Sequence, residues 1–216
     1  MGLIRVIGGF CLLSLVSVSL AWGQGASPEQ RVGEGIEALT EAFEAHKADY
    51  ETDPAALYAA LERTLDDYVD FRRISASVMG RYFRAASPEQ RSAFVRVFRD
   101  SLVRTFGRGL MSFDYREFDL ELRSRPMRNP NQANVELDVL AANGQRFPVV
   151  FVLEQIQEDW KIVNVVVNGI NLGLTFRSQF EQAMEQNRRD FDRVIAQWTP
   201  DEALQEIQQQ VEAEQQ

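Results

Sequence analysis

Histidine and cysteine, the side chains best suited to acid–base and nucleophilic chemistry near neutral pH, are almost absent from this chain. Its 216 residues include one histidine, His46, and one cysteine, Cys11. A Ser-His-Asp hydrolase would have to use His46, which stands between Ala45 and Lys47 on a polar helix face, and no G-x-S-x-G elbow accompanies it. There is no P-loop and no G-x-G-x-x-G, and "GRGL" at Gly107 reads as a helix end. A metal would have to rest on carboxylates alone, and no calcium-loop spacing follows the acids of "LDDYVD". A solvated helix face is the plainer reading of Asp66-Asp67. Acids distant in sequence that meet in space remain open as an acid–base pair. No catalytic residue, metal ligand or cofactor is assigned.

Arginines are the other reactive resource. From Phe71 to Leu110, nine arginines face only Glu89 and Asp100, a local balance of +7 in a chain of net charge −9. Among them Arg81, Arg84, Arg104 and Arg108 are candidates for contact with a phosphate group or an acidic partner, because guanidinium pairs bidentately with oxyanions. A solvated basic face is the alternative. The overall acidity argues against a general nucleic-acid binder.

The elements that carry these residues are legible. "SPEQ" at Ser27 and Ser87 and "TPDE" at Thr199 each place a hydroxyl cap, a proline at the first helical position and Glu or Gln three residues on. Asp53-Pro54 starts another helix. Apolar residues recur at helical spacing through Ile36, Leu39 and Phe43, through Leu57, Leu61 and Leu65, and through Phe94, Phe98, Leu102 and Phe106. Gly107 and Gly109 should end that last helix. The period then becomes two. Phe118, Leu120 and Leu122, and later Val135, Leu137 and Val139, alternate with polar residues as half-buried strands do. Asn143-Gly144 marks a hairpin. "RFPVVFVLEQI" and "WKIVNVVV" complete a four-stranded antiparallel meander. These last two strands are apolar on both faces, whereas an antiparallel sheet normally leaves one face polar. Either helices cover both sides or one face lines a cavity for an apolar ligand. After Asn168-Gly169, Asn171 caps a helix with Leu172, Phe176, Phe180 and Met184 on one stripe, and a last amphipathic helix begins at Thr199. The fold class is α+β, with N-terminal helices, the sheet, and C-terminal helices.

Met1 to Gly23 has a single charge, Arg5, an apolar run and small residues at Ala21 and Gly23, which reads as a secretory leader. Residues 24–216 then form a single domain with a fraying Gln-rich end. Cys11 lies in the leader, so the exported protein is cysteine-free and independent of disulfides.

Two stretches carry a resemblance. "VDFRRISASVMGRYFRAASPEQRSAFVRVFRDSLVRTFGRGL" and "WKIVNVVVNGINLGLTFRSQF" resemble the signature blocks of the MlaC, or toluene-tolerance, family. The match combines Asp70-Phe71, Gly80-Arg81-Tyr82, the Ser87 cap, Trp160, Gly169 and Arg177-Ser178-Gln179-Phe180. The chain departs from the family's usual Ser at Asn171, Tyr at Phe176, Trp at Phe83 and acid at Asn168. The resemblance implies a periplasmic phospholipid carrier without enzymatic activity, whose helices and sheet enclose an apolar pocket, with the lipid as cargo. It also implies two partners, an outer-membrane lipoprotein–porin complex and an inner-membrane MCE-domain ABC transporter. The expected acyl-chain contacts are Phe106, Leu110, Phe113 and Tyr115, then Val149, Phe151, Val163, Val165 and Val167, then Ile170, Leu172 and Leu174. A small enzyme with a buried carboxylate and a protein-binding adaptor or chaperone are the rival readings.

Overall fold

A computed structural model describes residues 25–111, 118–141 and 146–200. The expected leader, the expected Asn143-Gly144 hairpin turn and the helix expected to follow Thr199 fall on residues outside those described. The element order is α1 (Pro28–His46), α2 (Pro54–Tyr68), α3 (Phe71–Met79), α4 (Pro88–Met111), β1 (Phe118–Pro126), β2 (Gln132–Ala141), β3 (Arg146–Ile156), β4 (Asp159–Val167), β5 (Ile170–Asn171), α5 (Leu172–Gln186) and α6 (Phe191–Ala196). Short 3-10 turns at Lys47–Asp49 and Gly80–Tyr82 follow α1 and α3.

The caps form as their residue types require. Ser27 and Gln30 close a reciprocal capping box at α1, and Ser87 and Gln90 do the same at α4. Asp53 accepts from the Ala56 amide, Asp70 from Arg73 and Asn171 from Leu174. One helix departs from expectation. α4 passes through Gly107 to Met111, because that glycine serves close approach rather than termination. A Cβ there would stand 3.1 Å from Tyr58 and 3.2 Å from Leu61 on α2.

Among the described residues the sheet has five strands rather than four, in sequential antiparallel order. The extra strand is the two-residue β5, turned back on β4 through Asn168 (φ 49°) and Gly169 (φ 80°). Two consecutive positive φ values are what a tight hairpin turn asks of an Asn-Gly pair. Between Val152 and Leu153 the β3–β4 register shifts. Phe151 pairs with Val165, yet Leu153 pairs with Ile162, so one extra residue sits in β4.

The apolar residues segregate by face. Val135, Phe151 and Val165 form one cross-strand row, and Leu137, Val149 and Val167 form the next on the same face. α1 packs there through Val32 and Ile36 against Leu122, Val135 and Leu153. The largest core lies among α3, α4, α5 and α6, where Phe94, Phe98, Phe176, Phe180 and Trp198 meet edge to face. Val150 and Val166 pair directly on the opposite face of the sheet and are only half-buried. Both faces of β3 and β4 are therefore apolar, but the helical clusters lie against one of them. No described helix is long and apolar enough to cross a membrane.

Candidate functional site

Between the sheet's inner face and the helices lies a cavity of about 570 Å³. α2 contributes Leu61 and Leu65, and the α2–α3 junction contributes Val69, Phe71 and Ile74. α4 presents Phe98, Leu102, Val103, Phe106 and Leu110 along three turns. The floor is Phe151 on β3 with Ile162, Val165 and Val167 on β4, and α5 closes one side with Leu172 and Phe176. The stripe of α4 serves two ends of the molecule. Phe94 and Phe98 enter the aromatic core, while Phe106, 43% exposed, stands at the rim.

Among the described residues one side chain lining the cavity, Asn164, carries polar atoms, and they are satisfied. Asn164 Nδ2 donates to Asn171 Oδ1 at 2.9 Å, and the Gly173 amide donates to Asn164 Oδ1 at 3.0 Å. The same Asn171 oxygen accepts from Leu174, so the two asparagines fasten the start of α5 to β4. Gly173 is required for this clasp, since a Cβ would fall 2.6 Å from Asn164 Oδ1. We therefore expect Gly173→Ala to cost about 1–3 kcal/mol despite alanine's better helix propensity. Thermal unfolding of Gly173→Ala, Asn164→Ala and the double variant checks this. Because the two side chains compete for one space, the double variant should be less destabilised than the sum of the singles.

The expected wall residues divide. Phe106, Leu110, Phe151, Val165, Val167 and Leu172 line the cavity. Val163 does not, because the bulge breaks the alternation and turns Ile162 inward in its place. Val149 is half-buried beside Leu137 and Val167 in the next row, beyond the cavity. Ile170 is taken up in the hairpin against Val167, and Leu174 points outward from the first turn of α5 with 59% exposure. Phe113 and Tyr115 lie outside the described residues. The helical wall from α2 and α3, together with Leu102 and Ile162, was not among the expected contacts. Its only sequence signal is a stripe that serves equally well for an ordinary core.

The arginines also separate. Arg81 donates to Glu185 at 2.8 Å and lies over Tyr82, by the C-terminal end of α5. Arg84 is exposed beyond the same 3-10 turn. Arg104 and Arg108 are exposed near the cavity end of α4, and Arg104 lies 5.3 Å over the Tyr58 ring. Arg99, one turn earlier, is held between α2 and α4 by Glu62, Asp66 and Asp100. Burial, then the Asp100 charge, pushes the Glu62 carboxyl up, against the pull of Arg99. His46 bonds through Nδ1 to the Ala42 carbonyl within its own helix. Among the described residues no group of acids, histidines and cysteines could hold a metal ion, and no carboxylate lines the cavity.

Fold and site together define an α+β protein built around an apolar cavity whose wall carries no reactive group among the described residues. The sequence model described as "MlaC protein" matches residues 34–200. This chain belongs to the MlaC family. It is 34% identical over 198 residues to the toluene tolerance protein ttg2D of Pseudomonas putida, covering 91% of this chain and 87% of that one. It is 21% identical over 180 residues to the intermembrane phospholipid transport system binding protein MlaC of Haemophilus influenzae, covering 80% and 83%. A solved structure of a phospholipid-binding protein from Ralstonia solanacearum, in complex with a phospholipid, shares the fold with a TM-score of 0.66 at 19% identity. That likeness spans 80% of this chain and 98% of the other.

Proposed function

We propose that this protein is a periplasmic phospholipid carrier. It is exported by its leader, holds acyl chains in the cavity with the headgroup outward, and passes lipid between outer-membrane and inner-membrane complexes. In this role it maintains the lipid asymmetry of the outer membrane. The partners are an outer-membrane lipoprotein–porin complex and an inner-membrane MCE-domain ABC transporter. The reading rests on one observation above all, an apolar cavity of about 570 Å³ whose one polar side chain among the described residues is already hydrogen-bonded. Such a volume falls within the roughly 300–1,000 Å³ of small-molecule pockets. Membership of the MlaC family and the names of its relatives point the same way.

The energetics favour a binding role over a catalytic one. Moving a diacyl lipid of about thirty methylenes through water costs on the order of 20 kcal/mol, at roughly 0.8 kcal/mol each. A carrier offsets that cost with apolar surface alone. Phe106, Leu110, Phe151, Val165, Val167 and Leu172 are the acyl contacts of this proposal, joined by Leu65, Leu102 and Ile162.

The test is direct. The protein is purified natively from cells, extracted with organic solvent, and its lipids are identified and quantified by mass spectrometry. Phospholipid should be recovered in stoichiometric amount. Co-purifying peptide without lipid would instead favour the adaptor reading, and an empty protein that also fails to take phospholipid from vesicles would sink the carrier.

A further inference from the structure

We propose that Arg104 and Arg108, with the hydroxyl pair of Tyr50 and Tyr58, form an oxyanion site for a phosphate group beside the cavity. The inference deepens the carrier reading, and it rests on that reading only for the source of the phosphate.

Tyr58 is 8% exposed, and its ring packs with Leu57, Leu61 and Val103. Its hydroxyl lies 2.9 Å from that of Tyr50. Two phenols that bond to each other use one O–H between them, which leaves the second free to donate elsewhere. Arg104 lies over the Tyr58 ring at 5.3 Å. Stacking engages the face of a guanidinium and leaves its five edge N–H donors available. Arg108 follows four residues later, hence on the same side of α4. Both cations act on the Tyr58 hydroxyl and pull against the burial that raises its pKa.

Neither guanidinium forms an ion pair among the described residues, in contrast to Arg99 on the same helix. Arg99 holds three carboxylates, Arg73 holds Glu154 and Arg81 holds Glu185. Glu62 lies within electrostatic reach of Arg104, but Arg99 engages it at 3.7 Å. Two adjacent cations with no carboxylate partner among the described residues repel each other unless an anion bridges them. A tetrahedral oxyanion suits the arrangement, because it can accept from both forks and from a phenol at once.

The position ties the site to the cavity. Gly107, between the two arginines in sequence, lines the cavity and brings α4 close against the Tyr58 ring. The hydroxyl pair thus belongs to the layer immediately behind the wall formed by Leu39, Leu61 and Val103. A lipid with its chain in the cavity and its headgroup emerging past Leu39 and Leu110 would bring its phosphate to this side.

The experiment uses the full exported protein, stripped of lipid and refolded to its native unfolding transition. Two probes are titrated into it, into Arg108→Gln and into Arg104→Gln/Arg108→Gln. The first is inorganic phosphate, followed by calorimetry. The second is the ratio of affinities for phosphatidylglycerol and for diacylglycerol with identical chains. The intact protein should favour phosphatidylglycerol by roughly tenfold or more, and the double variant should bring that ratio within about twofold. The single variant, altered at an exposed side chain, should fall between them. If phosphate saturates the intact protein but not the double variant while the lipid ratio is unmoved, the site stands and its ligand is free phosphate. If the ratio falls without saturation by phosphate, the ligand is the headgroup. If neither lipid binds while phosphate still saturates, the carrier reading fails and the anion site survives. Absence of phosphate saturation, together with a lipid ratio equal in all three proteins, overturns the proposal.

Discussion

Val165→Arg is expected to empty the protein of lipid. Val165 sits on the inner face of β4 opposite Phe151, lines the cavity, and packs against the main core. An arginine there places a guanidinium in a space with no carboxylate among its described lining residues. Burying an unpaired charge costs several kcal/mol. The side chain has two ways to lessen that cost, and both work against lipid. It can bring water into the cavity, or it can extend its stem along the wall until the charge reaches the rim at Phe106. Phospholipid recovered per protein should fall at least tenfold, since ~1.4 kcal/mol already changes an equilibrium by that factor. Val166→Arg is the matched control. It lies one residue along on the opposite face, paired with Val150, where a long side chain reaches water. It should retain lipid. Full lipid content in Val165→Arg, or an equal loss in both variants, would reject the assignment of the inner face.

That contrast turns on what a linear pattern reveals. The helix starts were legible because a capping box is a local device, complete within four residues, and Ser27, Ser87 and Asn171 behave as their types require. The stripe Leu172, Phe176, Phe180 and Met184 is buried at every position, since a 3.6-residue period leaves one face to cover. Other features were decided by tertiary contact. Gly107 continues α4 because α2 presses against it, and no local signal distinguishes that glycine from a terminator. Alternation alone assigned Val163, Val165 and Val167 to one face, but the bulge replaces Val163 with Ile162, and a bulge depends on how the partner strand runs. The helical wall of the cavity was hidden for a deeper reason. Periodicity says that Leu61, Leu65 and Leu102 are turned from water, and it says nothing of whether they face another side chain or a void. Leu174 shows the reverse, an apolar residue beside the site that the helix nonetheless turns to solvent.

The largest loss of stability should come from one helical turn away from the cavity, at Phe180. This side chain is 0% exposed, with its ring centroid 4.8 Å from Phe94 and 6.1 Å from Trp198, and it does not line the cavity. Phe180→Ala removes a ring from a closed aromatic cluster that draws on α4, α5 and Trp198. Truncations of this kind cost about 3–5 kcal/mol, the sum of lost transfer energy and of a cavity that cannot fully collapse. In a protein of this size the unfolding midpoint should drop by on the order of 10 °C. Phe176→Ala is the informative partner. Phe176 is buried in the same cluster but also lines the cavity, so its removal enlarges a space that already exists. An acyl chain can occupy that added volume, whereas nothing can reach the void left at Phe180. Adding phospholipid should therefore recover more of the midpoint lost by Phe176→Ala than of that lost by Phe180→Ala, because a ligand that binds only the folded state stabilises it by mass action. Equal recovery in the two variants would mean that the α5 face at Phe176 does not touch the lipid, and the acyl site would have to be confined to the sheet and α4.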